Sequence, residues 1–257
     1  MIEYKSISKR FNARTVNEMS LLDDFSLHIA KGDFVSIIGS NGSGKTTLLN
    51  LLAGSLLPDS GHILIDGKDV TFQKEFIRAR RIGRVFQDTL KGCAGDLTLA
   101  QNLSLAENKG AKYNLASAIP RGALERYKNI VSSIGLGLED KMNVRMRLLS
   151  GGQRQAVSLL MATMTPIDIL ILDEHTAALD PKTADIVMRI TDDVVRKGNF
   201  TTMMVTHNLR YALEYGNRLL MMHEGRIVFD KSGDQKTALK IDDVLSLFNS
   251  ISIECGN

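Results

Sequence analysis

The period of the apolar positions changes along this chain, and each change marks an element. Phe25, Leu27 and Ile29 alternate with Ser26 and His28, which predicts a half-buried strand between Asp23-Asp24 and the turn Ala30-Lys31-Gly32-Asp33. Phe34-Val35-Ser36-Ile37-Ile38 then runs almost unbroken, the pattern of a strand covered on both faces. A glycine-rich loop follows at Gly39 to Gly44. Helical spacing from Lys45 to Leu57 is stopped by Pro58-Asp59-Ser60-Gly61. A strand at His62 to Ile65, a turn at Asp66-Gly67 and a strand at Ile82 to Phe86 complete the first half.

Between Gln87 and Leu149 strand signals vanish and helical ones replace them, as over Ala123 to Ile134, so a helical insertion is expected at about 88–149. Alternation then resumes. Strands are expected at Ile169 to Leu172, Thr201 to Val205, Arg218 to His223 and Arg226 to Phe229, with helices at Pro181 to Arg196 and Leu209 to Tyr215. This order predicts an α/β fold whose sheet is mostly parallel and covered by helices. One large domain is expected over 1–230, followed by a short tail, 231–257, with an amphipathic helix at Ile241 to Phe248.

Composition narrows the function classes. A net charge of +3, from 32 basic and 29 acidic residues, is too small an excess to argue for nucleic acid as a partner. With no Trp and 5% aromatics, a base-stacking platform is disfavoured as well. The cysteines, Cys93 and Cys255, have neither CxxC spacing nor a His cluster beside them, which disfavours a zinc site and a disulfide framework. The opening residues MIEYKSISKR read as a charged strand and not as a signal peptide. The longest apolar runs are about half of what crossing a bilayer needs, so membrane association is expected through a partner.

Two segments carry phosphate chemistry. Gly39-Ser40-Asn41-Gly42-Ser43-Gly44-Lys45-Thr46 fits GxxxxGK[ST] between a buried strand and a helix, and Thr47 continues the first turn of that helix. The glycines let backbone N–H groups turn inward around a β-phosphate, and the helix start adds its positive end. Lys45 is placed to reach the β- and γ-phosphates of ATP, and the Thr46 hydroxyl to bind Mg²⁺. Ile169-Leu170-Ile171-Leu172-Asp173-Glu174 is an apolar strand ending in two acids, at the sheet edge where ligands of such folds gather. Asp173 suits the Mg²⁺ coordination sphere and Glu174 the general base that polarises the attacking water.

Between these segments lies Leu149-Ser150-Gly151-Gly152-Gln153-Arg154-Gln155. With it the chain resembles the ATP-binding-cassette (ABC) ATPase family, whose defining motif is LSGGQ, and the resemblance runs from Ile2 to about Phe229. It implies a P-loop NTPase core with an antiparallel β subdomain and a helical insertion. Ser150, Gly151 and Gly152 open a helix running to Thr165, a second helix N-terminus able to hold an anion. The resemblance implies that two copies pack head to tail, with Ser150, Gly151, Gly152 and Gln153 of one contacting the γ-phosphate held by the other.

It further implies that Phe11 stacks on adenine and that Gln87 contacts Mg²⁺ and water and senses the transporter. By the same resemblance Asp180, in Ala177-Ala178-Leu179-Asp180, belongs to the segment crossing to the second copy, and His207 holds the γ-phosphate and orients Glu174. No catalytic position is degenerate, so both sites of a homodimer are expected to hydrolyse ATP. The expected partners are an integral membrane permease, docked on the helical region, and an extracytoplasmic solute-binding protein, which would put the chain peripherally on the cytoplasmic side of the membrane. A finer resemblance is to a bacterial importer branch of the tryptophan/tyrosine type. It is carried by Thr15-Val16-Asn17-Glu18, Ile38-Gly39-Ser40-Asn41-Gly42, the stretch Asp173 to Thr183, and Met221-Met222-His223-Glu224-Gly225-Arg226. A soluble ABC ATPase of the iron–sulfur-assembly type and an exporter or cell-division ATPase share these motifs and stay open at this level.

Overall fold

The computed structural model describes residues 1–12, 15, 16, 18–110 and 118–254, with side chains described as far as residue 248. Asn17, within the importer-branch resemblance, and residues 111–117 of the expected helical insertion lie outside the described residues. The chain forms two units, one of residues 1–79 with 199–257 and the other of residues 80–198.

The first unit opens with β1 (Ile2–Phe11), β2 (Met19–Ile29), β3 (Phe34–Gly39), α1 (Lys45–Ala53), β4 (Ser60–Ile65), β5 (Lys68–Asp69) and α2 (Glu75–Arg78). The second holds β6 (Ile82–Val85), α3 (Leu99–Glu107), α4 (Ala123–Ser132), α5 (Gly151–Thr163), β7 (Ile169–Asp173) and α6 (Pro181–Gly198). The chain then returns to the first unit with β8 (Thr201–Val205), α7 (Leu209–Glu214), β9 (Arg218–His223), β10 (Arg226–Ser232), α8 (Asp234–Thr237) and α9 (Ile241–Glu254).

Two sheets build the first unit. One is antiparallel, in the order β2-β1-β4-β5, and the alternation read at Phe25, Leu27 and Ile29 places all three in the core. The other is mixed. Its central strand β3 lies between β8 and β9, both parallel to it, and β10 pairs antiparallel to β9. Every residue of β3 and β8 is buried, as strands covered on both faces require, whereas β10 alternates exposed and half-buried positions.

Helix α1 stops at Ala53, four residues short of the sequence expectation. The apolar spacing continues through Leu56 and Leu57, but Gly54 takes a left-handed conformation with φ 83° and donates its N–H to Asn50 O, closing the helix. The α1 C-terminus is capped from outside by Arg78, which is 2% exposed. Its guanidinium donates to Leu51 O (2.6 Å), Leu52 O (3.0 Å), Thr71 O (2.7 Å) and Gln73 O (3.2 Å). A cation at this end also complements the helix dipole.

In the second unit β6 and β7 are parallel, with Ile82 opposite Ile169 and Val85 opposite Leu172. Helix α6 starts on a proline, and its buried positions Ala184, Val187, Met188, Thr191 and Val195 follow the helical period. The helical region has its own core, in which Leu99, Leu103, Tyr127, Val131, Met146 and Val157 are all fully buried. Strands β8 and β9 coincide residue for residue with the expectation, while β10 runs on to Ser232 and α9 to Glu254. The four-residue helices α2 and α8 were not anticipated.

Candidate active site

In the first unit, parallel pairing brings the phosphate loop and His207 to one edge of the sheet. Strands β3 and β8 run side by side with Ile37 opposite Val205, and Thr206 N–H donates to Ile37 O, so both chains leave the sheet at their carboxyl ends together. The loop turns sharply at Gly39, where φ is 151° and an added Cβ would meet Met222 O at 2.1 Å. Only glycine fits there. Gly44 precedes α1 with no side-chain cap, leaving the first N–H groups of the helix for a ligand. Lys45 is 5% exposed, and its ammonium donates to Gly39 O (2.9 Å), Ser40 O (2.7 Å) and Ser43 Oγ (3.4 Å), folding the charge over the loop. Ser43 and Gly44 are buried, whereas Asn41, Gly42 and Thr46 are exposed and Ser40 and Thr47 half-buried. His207 is exposed just beyond β8.

Phe11 ends β1 opposite Met19 and is half-buried, with the Lys9 ammonium 5.7 Å from its ring centroid. Beside the phosphate loop is a cavity of about 550 Å³ whose lining includes Met19, Leu21, Gly42, His223 and Arg226.

In the second unit, the parallel pair β6–β7 gathers Gln87, Asp173 and Glu174 at its carboxyl end, because Val85 lies opposite Leu172. Gln87 is exposed, Asp173 is 9% exposed and Glu174 is half-buried. Glu174 sits in the left-handed region with φ 47°, an unfavourable conformation for a residue with a side chain. Its carbonyl accepts the Ala177 N–H at 3.0 Å, closing a turn that carries the chain away from β7. The Asp173 carboxylate accepts a hydrogen bond of 3.1 Å from the Arg84 guanidinium.

Ser150 caps α5 through a reciprocal pair of bonds. Gln153 N–H donates to Ser150 Oγ at 3.3 Å and Ser150 N–H to Gln153 Oε1 at 3.2 Å. Ser150 is exposed at the start of this helix, and its hydroxyl hydrogen has no acceptor among the described residues. Gly152 is buried against α6, where an added Cβ would meet Thr183 Cγ2 at 2.1 Å. Further along, Gln155 donates to Phe86 O at 3.3 Å and Arg154 to Thr89 Oγ1 at 2.9 Å, tying the signature helix to the segment on both sides of Gln87. Asp180 caps the start of α6 by accepting the Thr183 N–H at 3.1 Å, and hydrogen bonds from the Thr183 side chain and backbone hold its carboxyl below the usual carboxylate range.

Residues 22–177 match the family described as ABC transporter, more than half of the chain. The chain belongs to the ABC transporter family. It is similar to a tyrosine transport ATP-binding protein of Clostridioides difficile, 42% identical over 248 residues covering 96% of this chain and 98% of that one. A methionine import ATP-binding protein of Bacillus cereus is 33% identical, covering 97% of this chain and 73% of that one. Among solved structures, a dimeric ATP-binding cassette in a post-hydrolysis state with ADP and Pi superposes with a TM-score of 0.75, at 28% identity over 90% of this chain and 98% of that one. A nucleotide-free cassette from an ABC transporter superposes with a TM-score of 0.80, at 26% identity over 100% of this chain and 99% of that one. This ABC cassette is an ATPase whose hydrolysis is coupled to transport, and its fold is the P-loop cassette fold that the motifs implied.

The donors in each unit are of a type that suits Mg²⁺: the first unit offers the Thr46 hydroxyl, and the second the Asp173 carboxylate and the Gln87 amide oxygen, all hard oxygen ligands. No group of three or more His, Cys, Asp or Glu that could hold a metal ion occurs among the described residues. Three side chains packed beside these segments escaped sequence reasoning: Arg84 on Asp173, Arg78 under α1, and His175. The His175 side chain is 3% exposed, its Nε2 is 3.1 Å from Thr191 Oγ1 on α6, and burial pushes its pKa down to about 4.

Proposed function

We infer that two copies of this cassette close head to tail on two molecules of ATP and so drive import of an amino acid or similar small solute through a separate membrane permease. The observation that carries this reading is a chain with two helix N-termini suited to anions. One is α1 behind the Lys45 loop and the other is α5 behind exposed Ser150, each in its own unit. The dimeric form of a similar cassette bound to ADP and Pi supports it, as do the tyrosine and methionine transport names of the relatives.

In this reading Phe11 stacks on adenine. The loop from Gly39 to Thr47 wraps the phosphates, and Ser150, Gly151, Gly152 and Gln153 of the second copy complete the γ-phosphate site. Thr46, Asp173 and Gln87 would hold Mg²⁺, which would neutralise charge on the transferring phosphoryl group. Glu174 takes the proton of the attacking water, and His207 orients it against the γ-phosphate. Asp180, at the cap of α6, lies in the segment that crosses to the second copy. ATP is bound more tightly by the closed dimer than by open chains, and that differential affinity moves the permease.

Residues 1–230 act as one cassette with 88–149 as its inserted helical part, and 231–257 form a tail. The permease contacts the helical part through Gln87, and a solute-binding protein outside the cytoplasm delivers the cargo. No helix among the described residues is long and apolar enough to cross a membrane. In this reading the cassette attaches peripherally, through the permease. The test is Glu174→Gln, which keeps size and backbone but removes the base. Turnover is expected to fall by about 10²–10⁴, and size-exclusion chromatography in MgATP should show a stable dimer. Hydrolysis at the wild-type rate would remove Glu174 from the base position.

A further inference from the structure

The strand register places a cation against the carboxylate assigned to the metal. On β6, Arg84 lies opposite Ile171 of the parallel neighbour β7, and side chains two apart on a strand share a face. Arg84 therefore projects on the same side as Ile171 and Asp173, and its Nη2 is 3.1 Å from Asp173 Oδ2. Phe86, two residues further along, is on that side too. The Arg84 guanidinium carbon lies 4.6 Å from its ring centroid, so the charge is held between an aromatic face and a carboxylate. The two charged side chains are only 13% and 12% exposed, so water and salt screen this pair far less than a surface pair.

We propose that Arg84 is a built-in counter-cation of Asp173 that makes divalent-metal binding depend on nucleotide. The proposal rests on Asp173 being the metal's carboxylate. A free divalent cation approaching Asp173 must compete with the guanidinium and is repelled by it. The same cation bound to ATP arrives as a net anion, which the guanidinium attracts. Arg84 thus opposes uptake of the bare ion and favours uptake of the metal–nucleotide complex, a discrimination that Asp173 alone, being an anion, would reverse.

The experiment uses Mn²⁺ as the probe, its binding to the full-length chain read by electron paramagnetic resonance without nucleotide and with a non-hydrolysable ATP analogue. Without nucleotide, Arg84→Met and Arg84→Gln should each bind Mn²⁺ about tenfold more tightly than wild type, a shift of about 1.4 kcal/mol. Arg84→Lys, which keeps the charge, should stay near wild type. With the analogue present, the advantage of the neutral variants should vanish or invert. Two neutral variants guard against the misfolding of one. If both neutral variants match wild type without nucleotide while Asp173→Asn weakens Mn²⁺ binding, the counter-cation role is overturned and the metal reading stands. If Asp173→Asn leaves Mn²⁺ binding intact, the metal reading itself fails, and the proposal with it.

Discussion

Replacing Arg78 with Met removes the cation under the phosphate-binding helix while keeping much of the aliphatic volume. The guanidinium donates to four backbone carbonyls, at 2.6, 2.7, 3.0 and 3.2 Å, and two of these end α1. Each charge-assisted bond contributes about 1.5–3 kcal/mol, a gross loss of roughly 6–12 kcal/mol. Against that stands relief of the desolvation penalty of a guanidinium that is 2% exposed, several kcal/mol by itself. The balance is a destabilisation of about 3–5 kcal/mol. With an m-value of about 3 kcal/mol/M in urea, the unfolding midpoint followed by far-ultraviolet circular dichroism should fall by roughly 1 M or more. Arg78→Lys keeps a charge but loses the planar fork, so it should land between the two. A midpoint for Arg78→Met within about 0.3 M of wild type would refute the idea that these carbonyls depend on the guanidinium.

Gly152→Ala inserts a Cβ 2.1 Å from Thr183 Cγ2, and the short branched threonine cannot swing away as a long side chain would. A loss of about 1–3 kcal/mol is expected, and Thr183→Ala in the same chain should restore most of it; the pair can be read as a double-mutant cycle. Stability should also depend on His175 below neutral pH. Its folded pKa, about 4, lies below the ordinary 6.5, so the folded state disfavours the charged form. The contribution is fully present above pH 6.5 and is lost as pH falls from there toward 4, on the order of 3 kcal/mol in all. Urea midpoints measured across that range should flatten in His175→Gln; an unchanged slope would assign the pH dependence to other groups.

Contiguous features were legible in the chain, and long-range ones were not. Strands β3 and β7 could be read because a strand buried on both faces is apolar at nearly every position, and β8 and β9 because they contain the unbroken apolar runs Met203 to Val205 and Leu219 to Met222. The phosphate loop could be read because its glycines and Lys45 are adjacent in sequence. The end of α1 was misread because Leu56 and Leu57 prolong the apolar spacing, while a backbone term, the left-handed Gly54, closes the helix. Strand β10 runs past Phe229 because pairing with β9 is a matter of backbone bonds, as at Lys231 opposite Leu219, and needs no apolar side chains. Arg78, Arg84 and His175 carry no local mark. A single arginine reads as polar surface until the fold brings its partner near, and Asp173 is 89 residues from Arg84. Asp180 and Ser150 were picked out by motif, and the structure adds that both cap helices within their own chain.

Most direct of all is the steady-state ATPase rate per chain, measured for the wild-type protein across a dilution series with light scattering on the same samples. Composite sites predict that the rate per chain falls as dimers dissociate on dilution and recovers when the chain is concentrated again. A rate per chain that stays constant while scattering reports only monomers would contradict the shared nucleotide site at the centre of this account.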